Sequence, residues 1–554
     1  MKHLILLVGA ALGLVSSVPA QELLPADRPI GEVIDHYIDS KLRQAKVAPA
    51  PPAANTTIAR RLHLDLIGRI PTPMEARAFL DSTDPLAKAK LIESLVSSPE
   101  FARHNAIEFD VMLRNDNPVA ASVRSYLLQA FKENRPWDVM FRDLIGANAN
   151  TVAATSEPVA SPKGGKMLDL GASRPDAFVL KRLKDPDALT RDVASVFFGL
   201  NITCAQCHQH PEIKSLTQDY FFGMKAFFSY SYDFQGQLLE RQFVKLADFK
   251  TKSGETRKPS LLFLSGSKVE IETLPDAELT KAIQEETKAI QEATKAKQAP
   301  PPPKFRPRIR LAETALDDAN REMFARSIVN RLWFRFYGHG LVMRIDQMHA
   351  NNESSHPELL QWLTRDLLSH NYDLTRLIGG LVSSRAYART SEWKGDAPAK
   401  ELFAVAVIRP LTPAQWGLSH RLASDPEALK IGETAEARLK ALDLIESQQV
   451  GTIAKLIEQP REDLQIGITE SLKLSNDPVL LKITGDKLVP VLRKLTEARQ
   501  QVDQAVWSVL SRPASTAEVK ILGEYLEQRK AKPDEALQHI VWALINSPEF
   551  RFNH

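Results

Sequence analysis

Apolar residues recur every three to four positions over most of the chain, which is the spacing of a helix buried on one face. The pattern is clear in Ile58–Leu66, Leu86–Ser97, Ala120–Asn134 and Phe324–Tyr337. The segments between these runs are short and polar. The sequence therefore predicts a mainly α, multi-helix protein.

Two short stretches have the pattern of a helix start closed by a capping box. They are Thr72-Pro73-Met74-Glu75 and Ser355-His356-Pro357-Glu358. In such a box, the hydroxyl of the first residue and the carboxylate of the fourth satisfy backbone N–H groups that a helix start leaves free. We expect one helix to begin at each stretch.

The spacing of apolar residues changes to every second position near residues 231–275. Phe243–Leu246, Leu261–Leu264 and Val269–Glu272 read as short strands, and Ser253-Gly254 and Ser265-Gly266-Ser267 read as turns between them. This change of period predicts a small β insert.

A seven-residue repeat follows the predicted insert, at Thr280–Glu286, Thr287–Ala293 and Thr294–Pro300. It offers about one apolar position per heptad, which is too few for a coiled-coil seam. We interpret it as a solvated helical spacer that ends in Pro300–Pro303. The predicted organisation has two main helical domains and comprises a signal peptide at 1–20, an N-terminal helix and Pro/Ala linker at 21–55, a helical domain at 56–230, the β insert at 231–275, the spacer at 276–305 and a second helical domain at 306–554.

The first residues have the pattern of a secretory signal peptide. Lys2 precedes the apolar run Leu4–Val15, and Val18-Pro19-Ala20 offers small residues for cleavage near Ala20. No later apolar run reaches the roughly 18 residues of a transmembrane helix. We expect no transmembrane span in the mature chain and a periplasmic, cell-surface or secreted location, with association to the cell envelope as one outcome.

The overall charge argues against a nucleic-acid partner. The 71 basic and 68 acidic residues leave a formal net charge of +3 over 554 residues. No basic patch interleaved with aromatic residues is recognisable, and such a patch is the usual footprint of nucleic-acid binding. We therefore expect no nucleic acid among the partners.

The only two cysteines lie in Cys204-Ala205-Gln206-Cys207-His208, which has the C-x-x-C-H spacing of a covalent haem c site. Cys204 and Cys207 would form thioethers with haem, and His208 would be the metal ligand that binds its iron. Three alternatives stay open: a disulfide or redox-active cysteine pair, a metal site, and inert buried thiols. A structural zinc site usually needs four protein ligands, and the chain has no second cysteine pair.

A sixth iron ligand is less well defined. Met224 lies in the apolar helical run that follows the motif and is the first candidate among the cofactor-binding residues, with core packing as its alternative role. Met348, His349 and His356 could reach the iron only if the second half of the chain folds over the first. The position can also stay open or hold water.

Three other residues allow both a functional and a structural interpretation. His210 either binds a metal or forms a turn in which its ring bonds the backbone. Arg326 and Arg331 either pair with haem propionates, because a guanidinium group matches a carboxylate, or pair with acidic residues across an interface.

Several sequence blocks together resemble a family of secreted bacterial proteins, best known from planctomycetes, that joins a cytochrome-like domain of unknown function (PSCyt) to a second domain of unknown function (PSD). The resemblance implies that 56–230 is PSCyt-like and 306–554 is PSD-like. Two departures from the usual family pattern are Gln209, where Asp is common, and Leu216, where an aromatic residue is usual. The matching blocks are Arg60–Pro73, Phe198–Pro211, Thr217–Tyr220, Phe324–Trp333, Ser355–Leu360 and Asn546–Phe550.

These observations predict an exported protein that binds haem c and transfers single electrons to a redox partner that the sequence does not identify. The alternative is a non-haem binding or scaffold protein of the cell envelope with a Cys204–Cys207 disulfide, for example in polysaccharide handling. A metal-dependent hydrolase using His208 and His210 ranks third, because no complete ligand set is recognisable. The sequence assigns no catalytic residue.

Overall fold

The computed structural model describes residues 23–117, 120–146, 174–272, 274–429, 434–453, 456–460, 462 and 468–554. The predicted signal peptide at 1–20 lies outside these residues. The described helices are α1 (Ile30–Ala45), α2 (Asn55–Ile67), α3 (Pro73–Leu80), α4 (Ala87–Val96), α5 (Pro99–Arg114), α6 (Arg124–Lys132), α7 (Trp137–Gly146), α8 (Ala177–Leu180), α9 (Pro186–Phe198), α10 (Gln218–Phe228), α11 (Asp276–Ala296), α12 (Pro307–Ala315), α13 (Arg321–Tyr337), α14 (Pro357–Ser369), α15 (Leu374–Ser383), α16 (Pro413–Ser424), α17 (Ala435–Ile453), α18 (Ile468–Asn476), α19 (Pro478–Ile483), α20 (Leu488–Leu492), α21 (Ala498–Leu510), α22 (Thr516–Gln528), α23 (Pro533–Ile545) and α24 (Pro548–Arg551).

The strands are short and pair only in antiparallel twos, so the prediction of a mainly α fold is confirmed. Three of the four pairs, β1–β2, β3–β4 and β5–β6, lie inside the predicted β insert. The fourth pair, β7–β8, joins the start of the C-terminal region to its end. The strands are β1 (Ser231–Phe234), β2 (Gln237–Glu240), β3 (Phe249–Lys250), β4 (Thr256–Arg257), β5 (Leu261–Leu262), β6 (Lys268–Val269), β7 (Arg409–Pro410) and β8 (Phe552–Asn553).

The strand predicted at Phe243–Leu246 is wrong, because this segment has no regular structure. The backbone N–H groups of Gln242 and Phe243 donate instead to the carboxylate of Glu286 on α11, at 2.6 and 3.1 Å. A side chain of the spacer helix thus replaces the neighbouring strand that the alternating pattern suggested. No residue of α11 is fully buried, as expected for a solvated spacer.

Of the two predicted capping boxes, one is confirmed. The Thr72 hydroxyl accepts from the N–H of Glu75, and the Glu75 carboxylate accepts from the N–H of Thr72. The second is wrong, because α14 begins at Pro357 with His356 at its N-cap and no side-chain cap. The Ser355 hydroxyl donates to the carbonyl of Leu341 and is therefore not used as a cap.

Two hydrophobic cores organise the described residues. The first draws on residues from Ile30 to Ala404 and therefore on both sides of the spacer. At its centre, the ring of Trp137 on α7 stacks on Phe197 of α9 at 5.7 Å and on Phe324 of α13 at 5.9 Å. The spacer does not separate the two cores, and the division of the chain into domains stays a prediction.

The second core draws on residues from Leu411 to Phe550, together with Leu64 and Ile70 from the N-terminal part of the chain. It lies beside the first core at α2, which contributes residues to both. None of the helices in the described part of the chain is both long and apolar enough to cross a membrane.

Candidate functional site

The cysteine motif lies in a tight loop directly after α9. The helix ends at Gly199, whose positive φ of 63° suits a residue without a side chain. Residues Thr203–Gln206 then form a single 3₁₀ turn. The carbonyl of Cys204 accepts from the N–H of Cys207 at 3.2 Å and of His208 at 3.1 Å, so one backbone oxygen holds the motif together.

The motif turns its reactive groups towards solvent. Cys207 is exposed, Cys204 is partly exposed, and their sulfurs are not bonded to each other. His208 is also exposed, whereas Ala205 is fully buried and fixes the loop to the first core. The thiols and the imidazole are therefore accessible and are not packed over by aromatic side chains.

The ring of His208 is held in one orientation. Its Nδ1 lies 2.7 Å from the carbonyl oxygen of Gln209, a contact that requires a proton on Nδ1. That tautomer leaves Nε2 as the free lone pair for a metal. The side chain of Gln209 in turn donates to the carbonyl of Lys214, which closes the loop behind the histidine.

Gln206 attaches the motif to the helices on either side. Its side-chain oxygen accepts from Arg191 on α9 at 2.9 Å, and its amide donates to Asp187 at 3.0 Å. Asp187 also pairs with Lys225 on α10 at 2.7 Å. This chain of polar contacts explains why a loop with exposed side chains has a defined conformation.

His210 forms the predicted turn with the backbone. Its Nδ1 accepts from the N–H groups of Glu212 and Ile213 at 3.2 and 3.1 Å. Burial lowers the pKa of His210, and the nearby ring of His349 acts in the same direction. A neutral ring suits this role, because a protonated Nδ1 could not accept either bond.

A segment of the second half of the chain covers one side of the motif loop. The N–H of Asn201 donates to the carbonyl of Asp346 at 2.7 Å, and the N–H of Met348 donates to the carbonyl of Gly199 at 2.9 Å. The nearly buried ring of His349 lies with Nε2 3.0 Å from a carboxylate oxygen of Glu212. The second half therefore does fold over the first and brings Met348 and His349 close to the motif loop.

The other sequence-predicted residues lie elsewhere. Met224 is fully buried on α10 within the first core, away from the exposed surface of His208, and its role as a ligand stays a prediction. His356 packs against Phe403, and burial lowers its pKa to about 4. Arg331 uses its donors on the carbonyls of α9, and Arg326 is exposed.

The residues of the motif fit covalent haem, because two accessible thiols and a free imidazole Nε2 lie in one turn. A cavity of about 710 Å³ lies among the C-terminal helices, and one of about 20 Å³ lies beside Arg61; the motif lines neither of these two. Within the same residues, no group of three or more His, Cys, Asp or Glu side chains could hold a metal ion.

Sequence reasoning missed a buried polar network around Asp65. Its carboxylate accepts from the Tyr387 hydroxyl at 2.7 Å, from both Nη atoms of Arg409 at 2.9 and 2.7 Å, and from the Asn553 amide at 2.8 Å. The sequence did contain a signal, because Arg61 and Asp65 stand four residues apart, on one side of a helix, among the apolar residues Ile58, Leu62, Leu64 and Leu66.

Comparison with known proteins gives two matches, in chain order. Residues 33–232 match the family model PSCyt2, described as "Protein of unknown function (DUF1549)". Residues 307–433 match PSD1, described as "Protein of unknown function (DUF1553)". No curated protein and no solved structure matches the chain. The first match contains the motif loop, and the second contains the segment that covers it.

Proposed function

This chain belongs to the two-domain family in which PSCyt2 precedes PSD1, a family of unknown function, and from that premise we propose that it is an exported protein that binds haem c and transfers single electrons. The observation that carries the proposal is the accessible turn of Cys204, Cys207 and His208, with the histidine Nε2 free. The predicted signal peptide supports it, because export takes the thiols to a compartment in which haem c is attached.

Each residue of the turn has a distinct part. Cys204 and Cys207 would hold haem through two thioethers, each formed by addition of an S–H group across a vinyl group, so both thiol hydrogens would stay in the product. His208 would bind the iron through Nε2, while the Gln209 carbonyl holds the Nδ1 proton and so makes the ring a stronger ligand. Bound haem supplies one-electron redox chemistry. A second ligand to the iron would be Met224, which is fully buried in this structure, or the position would stay open.

The exposure of the turn has consequences for electron transfer. A cofactor at the surface lies within reach of a partner protein, so the chain needs no internal electron path. Solvent exposure is one of the factors that set the potential of a haem, and it favours the charged, oxidised form. We therefore propose a low-potential carrier that acts at the cell envelope.

The test is expression of the full chain in a bacterium that has haem-attachment machinery. The expected product is red, has the mass of the mature chain plus one haem, and keeps its Soret band in denaturant. Cys207→Ala should lose one thioether and shift the haemochrome spectrum. Ser215→Ala, an exposed change in the same loop, is the control and should not.

A second function is favoured by a different observation. Cys204 and Cys207 share one turn, in which the carbonyl of Cys204 accepts from the N–H of Cys207, so the two thiols are close enough in the chain to be joined as a disulfide. The protein would then be a binding or scaffold protein of the cell envelope. In the same experiment it would be colourless and lighter than the reduced chain by two hydrogen atoms, a result that rejects the haem proposal.

A further inference from the structure

The part of the β insert that lies beside the motif loop is basic. Residues 241–258 contain six basic and two acidic residues, whereas the whole chain has 71 basic and 68 acidic ones. The charge of the chain is therefore nearly balanced overall and positive in this segment. Its basic residues are Arg241, Lys245, Lys250, Lys252, Arg257 and Lys258.

The side chain of Gln218 attaches this segment to the motif. It is 7% exposed, its oxygen accepts from the N–H of Lys252 at 2.9 Å, and its amide donates to the carbonyl of Lys250 at 3.1 Å. The same amide lies 3.5 Å from the carbonyl oxygen of Gln206, which stands between the two cysteines. The backbone of Lys250 and Lys252 is thus only one side chain away from the motif.

A third lysine lies on the other side of the loop. The carbonyl of Lys214 accepts from the side chain of Gln209, the residue that follows His208. Lys214, Lys250 and Lys252 are all exposed. We call these three residues the lysine rim.

The carboxylates around the motif do not neutralise the lysine rim. No lysine of the rim forms an ion pair with another described residue, and the exposed Asp248 is a single opposing charge. The rim therefore leaves an excess of positive charge at the surface. The other nearby carboxylates already lie against basic groups: Asp219 and Glu255 against Arg257, Asp187 against Lys225, and Glu212 against His349.

The surface around the motif suits a protein better than a membrane. Between residues 199 and 272, none of the large apolar side chains that the structure describes is exposed, so this surface has nothing to insert into lipid. A redox group at an exposed loop also needs a second redox group to come close to it. A folded partner with a matching acidic surface meets both conditions.

We propose that the lysine rim docks a protein that presents a cluster of carboxylates, and so brings the redox group of that protein to the motif loop. The proposal rests on the proposed function, because the partner comes to exchange electrons. The charge of the rim itself does not depend on haem. Exposed charges speed up encounter between proteins and are screened by salt, over about 10 Å at 0.1 M.

The first measurement is the reactivity of the motif thiols in the full chain, reduced and prepared without haem. Two reagents are compared, the dianionic dithiobis(nitrobenzoate) and the neutral dithiodipyridine. The rate with the dianion should fall roughly 3- to 10-fold when the salt is raised from about 0.02 to 0.5 M, and the rate with the neutral reagent should change little. The ratio of the two rates reports the charge at the motif, because a change in the thiols affects both.

A charge reversal tests the lysine rim directly. The double variant Lys250→Glu with Lys252→Glu should lower this ratio at low salt by a factor of about 3 or more and flatten its salt dependence. The double variant Lys520→Glu with Lys530→Glu changes the net charge equally at two exposed positions of the C-terminal region and should behave as the wild type. Equal ratios in all three proteins would overturn the proposal.

The kind of partner is tested with two probes. Polyglutamate should protect the motif thiols of the wild type from the neutral reagent, and it should not protect those of the Lys250→Glu, Lys252→Glu variant. Vesicles of phosphatidylcholine and phosphatidylglycerol should not bind the chain at the same salt. Absence of protection, or vesicle binding that this variant abolishes, would overturn the proposal. A colourless product in the expression test would reject haem and leave these results standing, because they are obtained on the haem-free chain.

Discussion

At the scale of single residues, the acidic side chains of this protein act mainly as fixed acceptors for arginines. Asp65 and Glu446 each hold two or more donors from distant parts of the chain. Asp65 joins α2 to Tyr387, which follows it by 322 residues, to Arg409, which follows it by 344, and to Asn553, which follows it by 488. Residues of this kind fix the fold, and their substitution would be expected to affect stability before activity.

Glu518 on α22 should make the free energy of unfolding depend measurably on pH. Hydrogen bonds from Arg512 lower its pKa to about 2, from an ordinary value of 4.5, and burial opposes the shift. Because the folded-state pKa is the lower one, the stabilisation is complete above pH 4.5 and is lost as the pH falls towards 2.

Glu518→Gln should therefore lower the free energy of unfolding at pH 7, by about 1 kcal/mol or less because the pair is partly exposed. The variant should also show a flatter pH dependence than the wild type between pH 4.5 and 2. Urea denaturation at several pH values measures both effects. Parallel curves for the two proteins would contradict the assignment.

At the scale of secondary structure, the second half of the chain holds the end of α9, from which the motif loop starts. Arg331 on α13 donates to the carbonyls of Val196 and Ser195 at 3.1 and 2.7 Å, and the Ser327 hydroxyl donates to Val196 at 3.2 Å. Both carbonyls belong to the last turn of α9, where a helix runs out of backbone donors, and that of Ser195 also accepts from the N–H of Gly199 at 3.0 Å. Burial lowers the pKa of Arg331 to about 10, so it stays charged at neutral pH.

Arg331→Met should remove one hydrogen bond from each of these two carbonyls and loosen the motif loop, while Ser327 and the N–H of Gly199 still donate to them. A loss of about 1–3 kcal/mol in local stability corresponds to roughly 5- to 150-fold acceleration of amide exchange. Hydrogen exchange measured over residues 199–208 is the readout. Arg326→Met, on the exposed side of the same helix, is the control, and equal exchange in both variants would refute the role of Arg331.

The sequence could predict the elements whose signals are local. The helices, the capping box at Thr72 and the β insert are of this kind, because they depend on residues close to one another in the chain. The prediction of a strand at Phe243–Leu246 was wrong because the carboxylate of Glu286, more than 40 residues later, accepts from the N–H group of Phe243. The C-x-x-C-H spacing located the candidate site, but the covering segment near Met348 depends on packing between distant regions.

At the scale of the whole molecule, the two cores are joined by buried ion pairs as well as by apolar contacts. The carboxylate of Glu446 on α17 accepts from Arg103 on α5 and from Arg124 on α6. Arg103 also donates to Asp443 at 2.7 Å. The first core thus contributes the positive charges and the second contributes the negative ones.

Glu446→Gln should destabilise the contact between the cores by about 3–5 kcal/mol, because it leaves two buried guanidinium groups without their main counter-charge. Calorimetry should then show two separate transitions, whereas we expect overlapping ones for the wild type. Glu436→Gln on the same helix removes an exposed pair with Lys440 and should leave the profile unchanged. An unaltered profile in Glu446→Gln would show that apolar packing alone couples the cores.

The extent of the first core also bears on the order of events during synthesis. The core needs residues up to Ala404, almost 200 residues after Cys207. At ribosomal rates of about 5–20 residues per second, roughly 10 to 40 s pass between the appearance of the thiols and that of the last core residues. An enzyme that reaches the two cysteines during this interval can therefore act before the first core is complete. Whether haem is attached or a disulfide forms then depends on which enzyme reaches the nascent chain first.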